Sequence, residues 1–374
     1  MADPRSILVL RPDRLGDVIV STPLHRVLRR RFPKAQIHWL VQDWIAPLLE
    51  GIPGMMSVIR YQPSGRHSGW AGIQALTGEM RDRRADWVLA LQSTPRVSFA
   101  ALRAGIPVRV GPLSKLHSYF LYNQGVRQNR SDSKLHEAEY GLELLGSLGV
   151  ELPFVAESRA EGPVVNLLPE ALEWAQAWLE RQGIRPKSSI GIHPGMGGSA
   201  LNWPLDRYIL LGHQIASSGV HVVLTAGMGE EDLQLKVLEG IRALDPQVLA
   251  RIHPVSALKD QMDLPRLAAL QSLLSVYIAP STGPLHLASA VGTPVVSVYP
   301  PIQVQHPKRW GPYVDSDHAK ILTPLTREEC GQKFKCRGRK CEFYPCMDRV
   351  SADAVLKQVL ELQGQSRRRS DGNL

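Results

Sequence analysis

A chain of 374 residues with 44% hydrophobic and 21% charged content has ordinary globular composition, which excludes a wholly disordered, fibrous or collagen-like molecule. Its length exceeds the roughly 250 to 300 residues at which single cores stop growing, so two domains are expected. Lys and Arg number 44 against 35 Asp and Glu, a formal charge of +9 that favours acidic partners such as phosphosugars, anionic lipid headgroups or nucleic acid.

Aromatics are only 6%, and no zinc finger, basic zipper or aromatic RNA-binding signature accompanies the charge, so no nucleic-acid partner is expected. No run of about 18 apolar residues occurs. Asp13, Arg14 and Asp17 interrupt the stretch a signal peptide would need. The expected location is the cytoplasm.

In chain order, residues 1–110 alternate short β-branched runs with amphipathic stretches, the pattern of a parallel sheet with crossover helices. Strands are expected at 7–10, 37–41, 56–61, 87–91 and 107–110, with helical segments around Ile45, Ile73 and Phe99. After the first strand, the loop 11–16 leads into a helix with Val20, Leu24, Val27 and Leu28 on one face, and Pro23 leaves its start open. A helix at 136–148 ends at Gly149, and the polar stretch 157–162 leads to a new strand at 164–168. The domain boundary is placed there, giving an N-terminal domain 1–160 and a C-terminal domain 161–350.

The second half repeats the alternation, with strands at 190–193, 220–224, 276–278 and 295–299. A final helix is expected within 351–364, followed by a flexible polar tail, 365–374, with Arg367, Arg368 and Arg369. The expected fold is α/β, with two doubly wound Rossmann-like domains facing each other across a cleft.

Three loops carry the chemistry. In RPDRLGDV, Asp17 follows Gly16 at the start of a helix; its carboxylate could accept a hydroxyl proton, or merely complement the helix dipole. In HPGMGGSALNWP, Gly195, Gly197 and Gly198 allow close backbone approach to a phosphate, with Ser199 as a further donor. This is neither a Walker loop nor a nucleophile elbow. In APSTGPLHLASAVGTP, Ser281, Thr282 and Gly283 precede Pro284, which suits the first position of a helix. Free amides there form an anion site for a pyrophosphate. His286, about one turn in, could bond a ligand or a backbone carbonyl.

Taken in this order, RPDRLGDVIVSTPLHRVLRRRFPKAQIHWLV, HPGMGGSALNWPLDRYILLG, PSTGPLHLASAVGTPVVSVYPP and HPKRWGP resemble glycosyltransferase family 9, the ADP-heptose:lipopolysaccharide heptosyltransferases. The resemblance implies a GT-B fold, with the acceptor on the N-terminal domain, near Arg14 and Gly16, and the nucleotide sugar on the C-terminal one. It implies inversion at the anomeric carbon with no cofactor or metal for catalysis, and it maps the family's general base onto Asp17. Two positions depart from the family pattern. Leu201 stands where many members carry a cation for the diphosphate, and Ser281 where many carry Asp.

All four cysteines, Cys330, Cys336, Cys341 and Cys346, lie in one short segment with Lys333, Lys335, Arg337, Arg339 and Lys340. They read as a structural zinc or iron site, as reduced unligated thiols or as disulfides. The same basic segment could instead contact a phosphorylated acceptor or a membrane.

The leading expectation is therefore a heptosyltransferase that uses ADP-heptose and a lipid-linked or glycan acceptor. Basic residues such as Arg26, Arg29 and Arg30 would meet an anionic membrane at the inner face of the inner membrane. The competing readings are a transferase for another nucleotide sugar, a sugar-nucleotide epimerase, and a catalytically silent nucleotide-sugar or glycan binder.

Overall fold

The computed structural model describes residues 3–151, 159, 162–198 and 200–371. The chain forms two compact units, one of Met1–Arg130 with Lys134–Asn166, the other of Ser131–Ser133 with Leu167–Leu374. The polar stretch on which the sequence places the boundary lies largely outside the described residues.

The first unit holds six strands, β1 (Ser6–Leu10), β2 (Gln36–Gln42), β3 (Met55–Tyr61), β4 (Trp87–Ala90), β5 (Val108–Pro112) and β6 (Gln124–Val126). All pairings are parallel, in the order β3-β2-β1-β4-β5-β6. Every residue of β1 is buried, as a central parallel strand covered on both faces requires. Ile7 sits between Ile37 and Trp87 in register. Leu8, Leu10, Leu40, Val88 and Ala90 close on Leu76, Met80 and Val97 from the crossover helices.

The helix expected after β1 is two helices, Leu15–Ser21 and Pro23–Arg31, meeting at Thr22. Pro23 has no N–H to continue the ladder and starts a new helix instead. The strand expected at 164–168 is not formed. Residues 162–168 run without regular structure, and their donors go elsewhere: Val164 N–H to Thr22 Oγ1 at 2.8 Å, Asn166 N–H to the Leu48 carbonyl at 2.7 Å.

The second unit repeats the scheme with β7 (Ser189–Ile192), β8 (His221–Ala226), β9 (Ile252–Ser256), β10 (Val276–Ile278), β11 (Val295–Val298) and β12 (Ala319–Leu322). The order is β12-β11-β10-β7-β8-β9, which is the same topology as the first sheet. Strands β6, β9 and β12, absent from the sequence expectation, are all edge strands. β9 carries Pro254, which edges tolerate, while β6 and β12 are only half-buried.

The last helix, Ala352–Asp371, extends beyond 364 into the expected tail. No proline interrupts it, and one internal glycine, Gly364, costs only about 1 kcal/mol. Val355, Val359 and Leu362 bury its inner face in the second core. Among the described residues no helix is long and apolar enough to cross a membrane.

In each sheet the strand order reverses between the first and fourth strands, and open α/β sheets bind ligands outside the carboxyl ends at that point. The loops after β1 and β4, and those after β7 and β10, therefore define the two places to examine.

Trp203 anchors the long loop after β7. It is 2% exposed, meets the Tyr208 ring edge-on at 4.9 Å, and donates its Nε1–H to the Val350 carbonyl at 2.9 Å. Trp203→Ala is expected to destabilise the second unit by about 3 to 5 kcal/mol, read as a lower urea midpoint by circular dichroism.

Candidate active site

The first candidate centre lies at the end of β1. Arg11 continues the sheet pairing through its N–H to the Leu40 carbonyl, 2.9 Å, and its side chain is only 2% exposed. Three carboxylates surround the guanidinium: Asp13 at 3.2 Å, Asp17 at 3.2 Å and Glu137 at 3.0 Å. Burial alone would lower the Arg11 pKa, but Asp13, Asp17 and Glu137 outweigh it and raise it above the ordinary value.

Asp17 is the third residue of the Leu15–Ser21 helix, where its charge favours the helix dipole. It is also reachable, with a side chain 24% exposed. Arg11 grips it twice, Nη2 donating to Oδ1 and Nε to the Asp17 carbonyl, each at 3.2 Å. The Asp17 carbonyl also accepts from Ser21 Oγ at 2.7 Å. Gly16 is half-buried beside it and Arg14, the N-cap, is exposed.

Glu137 opens the helix Glu137–Gly146, which is fixed by a capping box between His136 and Glu139. Its buried carboxylate also accepts from Arg130 at 2.6 Å. Arg130 in turn donates to the Leu91 carbonyl beyond β4 and to Gln128. The switch point of the first sheet is thus bridged by ion pairs. Glu137 and Arg130 carry no motif in the sequence; the one available signal is Arg11, the first residue of the RPDRLGDV loop, a charge directly after the apolar run 7–10.

In the second unit, Gly197 and Gly198 have φ of 55° and 72°, the left-handed region that glycine adopts readily. Ser199 lies outside the described residues. At Gly195 an added Cβ would collide with the Glu230 carboxylate. That carboxylate accepts from Gly227 N–H at 2.9 Å and lies 3.4 Å from His193 Nε2. Burial pushes the His193 pKa down, and Glu230 opposes the shift. Glu230 sits in a short turn before a helix and shows no sequence signal of its own.

Asn202 bridges the loop, donating to the Pro194 carbonyl at 2.9 Å and accepting from Trp203 N–H at 2.8 Å. Leu201 N–H donates to Gln305 Oε1 at 3.0 Å. After β10, Thr282 enters the helix Gly283–Ala290 in an extended conformation, without a side-chain cap bond among the described residues. Ser281, Thr282 and Gly283 are half-buried. Near Ser281, the buried Tyr299 hydroxyl donates to the Trp310 carbonyl at 2.6 Å. His286 is buried, 3% exposed.

The four cysteines are all free thiols, with Cys346 buried beside Met347 and Val350 in the second core. Burial, then the neighbouring thiols, pushes the Cys346 pKa up. Among the described residues no group of three His, Cys, Asp or Glu side chains is placed to hold a metal ion. The segment is fastened instead by backbone bonds, with Gln303 and Val304 N–H donating to the carbonyls of Gln332 and Lys333.

Two doubly wound units in one chain, each with candidate loops at its switch point, are the architecture of GT-B glycosyltransferases. The chain belongs to glycosyltransferase family 9 (heptosyltransferase), whose family model matches residues 73–340, more than half of its length. It is similar to a provisionally named glycosyltransferase of Haemophilus influenzae, 30% identical over 86% of this chain and 90% of that protein. It is also similar to a lipopolysaccharide core heptosyltransferase of the same organism, 22% identical over 84% of each. The solved Escherichia coli ADP-heptose lipopolysaccharide heptosyltransferase II shares the fold at TM-score 0.74, covering 97% of this chain and 99% of that one at 22% identity.

Burial pushes the Asp13 carboxyl up to about 6 from 3.8, against the opposing pull of Arg11. Between these values the folded protein binds more protons at this site than the unfolded chain, so the site's contribution to stability falls as pH rises from 3.8 to about 6. Asp13→Asn should remove that slope. Urea midpoints of the two proteins measured from pH 4 to pH 7 should diverge across the window if this is correct, and run parallel if Asp13 titrates normally.

Proposed function

We propose that this glycosyltransferase moves a heptose from ADP-heptose to a lipopolysaccharide core or related glycan acceptor, with inversion at the anomeric carbon. The single observation that carries the reading is Asp17, a reachable carboxylate held at the carboxyl edge of the first sheet by a buried arginine. An acceptor hydroxyl within hydrogen-bond reach gives its proton to Asp17. Its oxygen forms the new bond to the anomeric carbon as the bond from that carbon to the diphosphate oxygen breaks and ADP leaves.

The second unit would hold the donor. The Gly197 and Gly198 turn exposes backbone donors to phosphate, and the start of the Gly283–Ala290 helix directs amides and its dipole at the same kind of group. These are preorganised donors for the charge that builds on the leaving diphosphate. Ser281, half-buried before the helix, can hydrogen-bond a sugar hydroxyl without adding charge. No metal is required for these steps.

The acceptor would be reached from the cytoplasm, with the basic Arg26 to Arg31 stretch at an anionic membrane. Arg29 contributes less to that contact than expected, because its guanidinium donates to the Ala35 and Phe32 carbonyls and closes its own helix. Leu201 and Ser281 favour one alternative, transfer from a different nucleotide sugar.

Asp17→Asn should lower kcat by about 10²- to 10⁴-fold and leave donor affinity unchanged in calorimetric titration. Titration with ADP-heptose, ADP, UDP and UDP-glucose separates the donors. Binding of the uridine ligands alone would overturn the heptosyl reading and leave a transferase of another specificity.

A further inference from the structure

We propose that Arg11 is the positioning residue for Asp17, and that Glu137 sets how much of the Arg11 charge Asp17 feels. This rests on the reading of Asp17 as the base. The geometry is specific. One nitrogen, Nη2, uses its two N–H groups on two carboxylates, Asp17 Oδ1 at 3.2 Å and Glu137 Oε1 at 3.0 Å, so both draw on the same positive charge. Nε donates to the Asp17 carbonyl at 3.2 Å. Backbone and side chain of the same residue are therefore tied to one rigid planar group, which fixes the direction of the carboxylate.

The charges give this sharing its consequence. A lone arginine on Asp17 would hold the carboxylate in its ionised form and weaken it as a proton acceptor. Here Arg11 is divided among Asp13, Asp17 and Glu137, while Arg130 reinforces Glu137 at 2.6 Å. Three carboxylates against two guanidinium groups leave one negative charge when all are ionised. The proton from an acceptor hydroxyl would neutralise that charge. The groups around Asp17 are Arg14 at the N-cap of its helix, Arg11 and Asp13 on the loop after β1, and Glu137, with Arg130 and His136 beside it, on the helix packed against it.

Arg11→Lys keeps the charge and loses the fork. It should lower kcat by about 10-fold or more while the KM for the nucleotide sugar stays within about twofold, the mark of a contribution confined to the chemical step. Glu137→Gln keeps the shape and releases Arg11 toward Asp17. The acid limb of its kcat profile should move to lower pH, a change that mere loosening of the fold would not produce.

Both variants are checked for folding by circular dichroism and compared with Asp17→Asn, and if Arg11→Lys does not fold, the Glu137→Gln profile decides. An inactive Asp17→Asn with wild-type kcat and superimposable pH profiles in the other two overturns the positioning role and leaves the base intact. A fully active Asp17→Asn overturns the base itself and this inference with it.

Discussion

A guanidinium removed from water costs several kcal/mol unless carboxylates meet it with good geometry, and Arg11 is removed almost entirely. That requirement orders the carboxyl edge of the first sheet. Satisfying it draws in Asp13 from the loop, Asp17 from the first helix turn and Glu137 from a helix more than a hundred residues away. Glu137 recruits Arg130, and Arg130 takes up the Leu91 carbonyl beyond β4. Arg11 is common to all three carboxylates, so the loops at the switch point are held as a set rather than one by one.

The two units use one strand order for different electrostatic ends. In the first, side-chain charges are concentrated around Asp17. In the second, the loops rely on backbone donors, with Gly197 and Gly198 in the left-handed region and a helix start at Thr282. The charged group there, Glu230, is kept in place by Gly227 N–H. Asn202 and Trp203 are occupied with holding their own loop, which accounts for their place in the motif without assigning them to a ligand.

Much of the fold is legible in the sequence where burial on both faces gives continuous apolar runs, as in β1, β2, β4 and β7. It is not legible at three of the four sheet edges, β6, β9 and β12. β9 mixes His253 and Pro254 into its five residues, and β12 is only partly buried, so neither shows the pattern of a covered strand. Residues 164–168 mislead for the opposite reason, being largely apolar while bonded to a threonine hydroxyl and a loop carbonyl rather than to a strand. Within the candidate site, Asp17 is legible because the glycine before it and the helix after it form a local pattern. Glu137 is not, since an ion pair across 126 residues leaves no spacing to read.

Gly195 and Glu230 have a consequence for how such chains diverge. The missing side chain at 195 is the socket into which the Glu230 carboxylate fits, and a Cβ there would meet that carboxylate head-on. The two positions are therefore one unit of variation. Among homologous chains, a larger residue at 195 should occur together with a shorter or displaced side chain at 230.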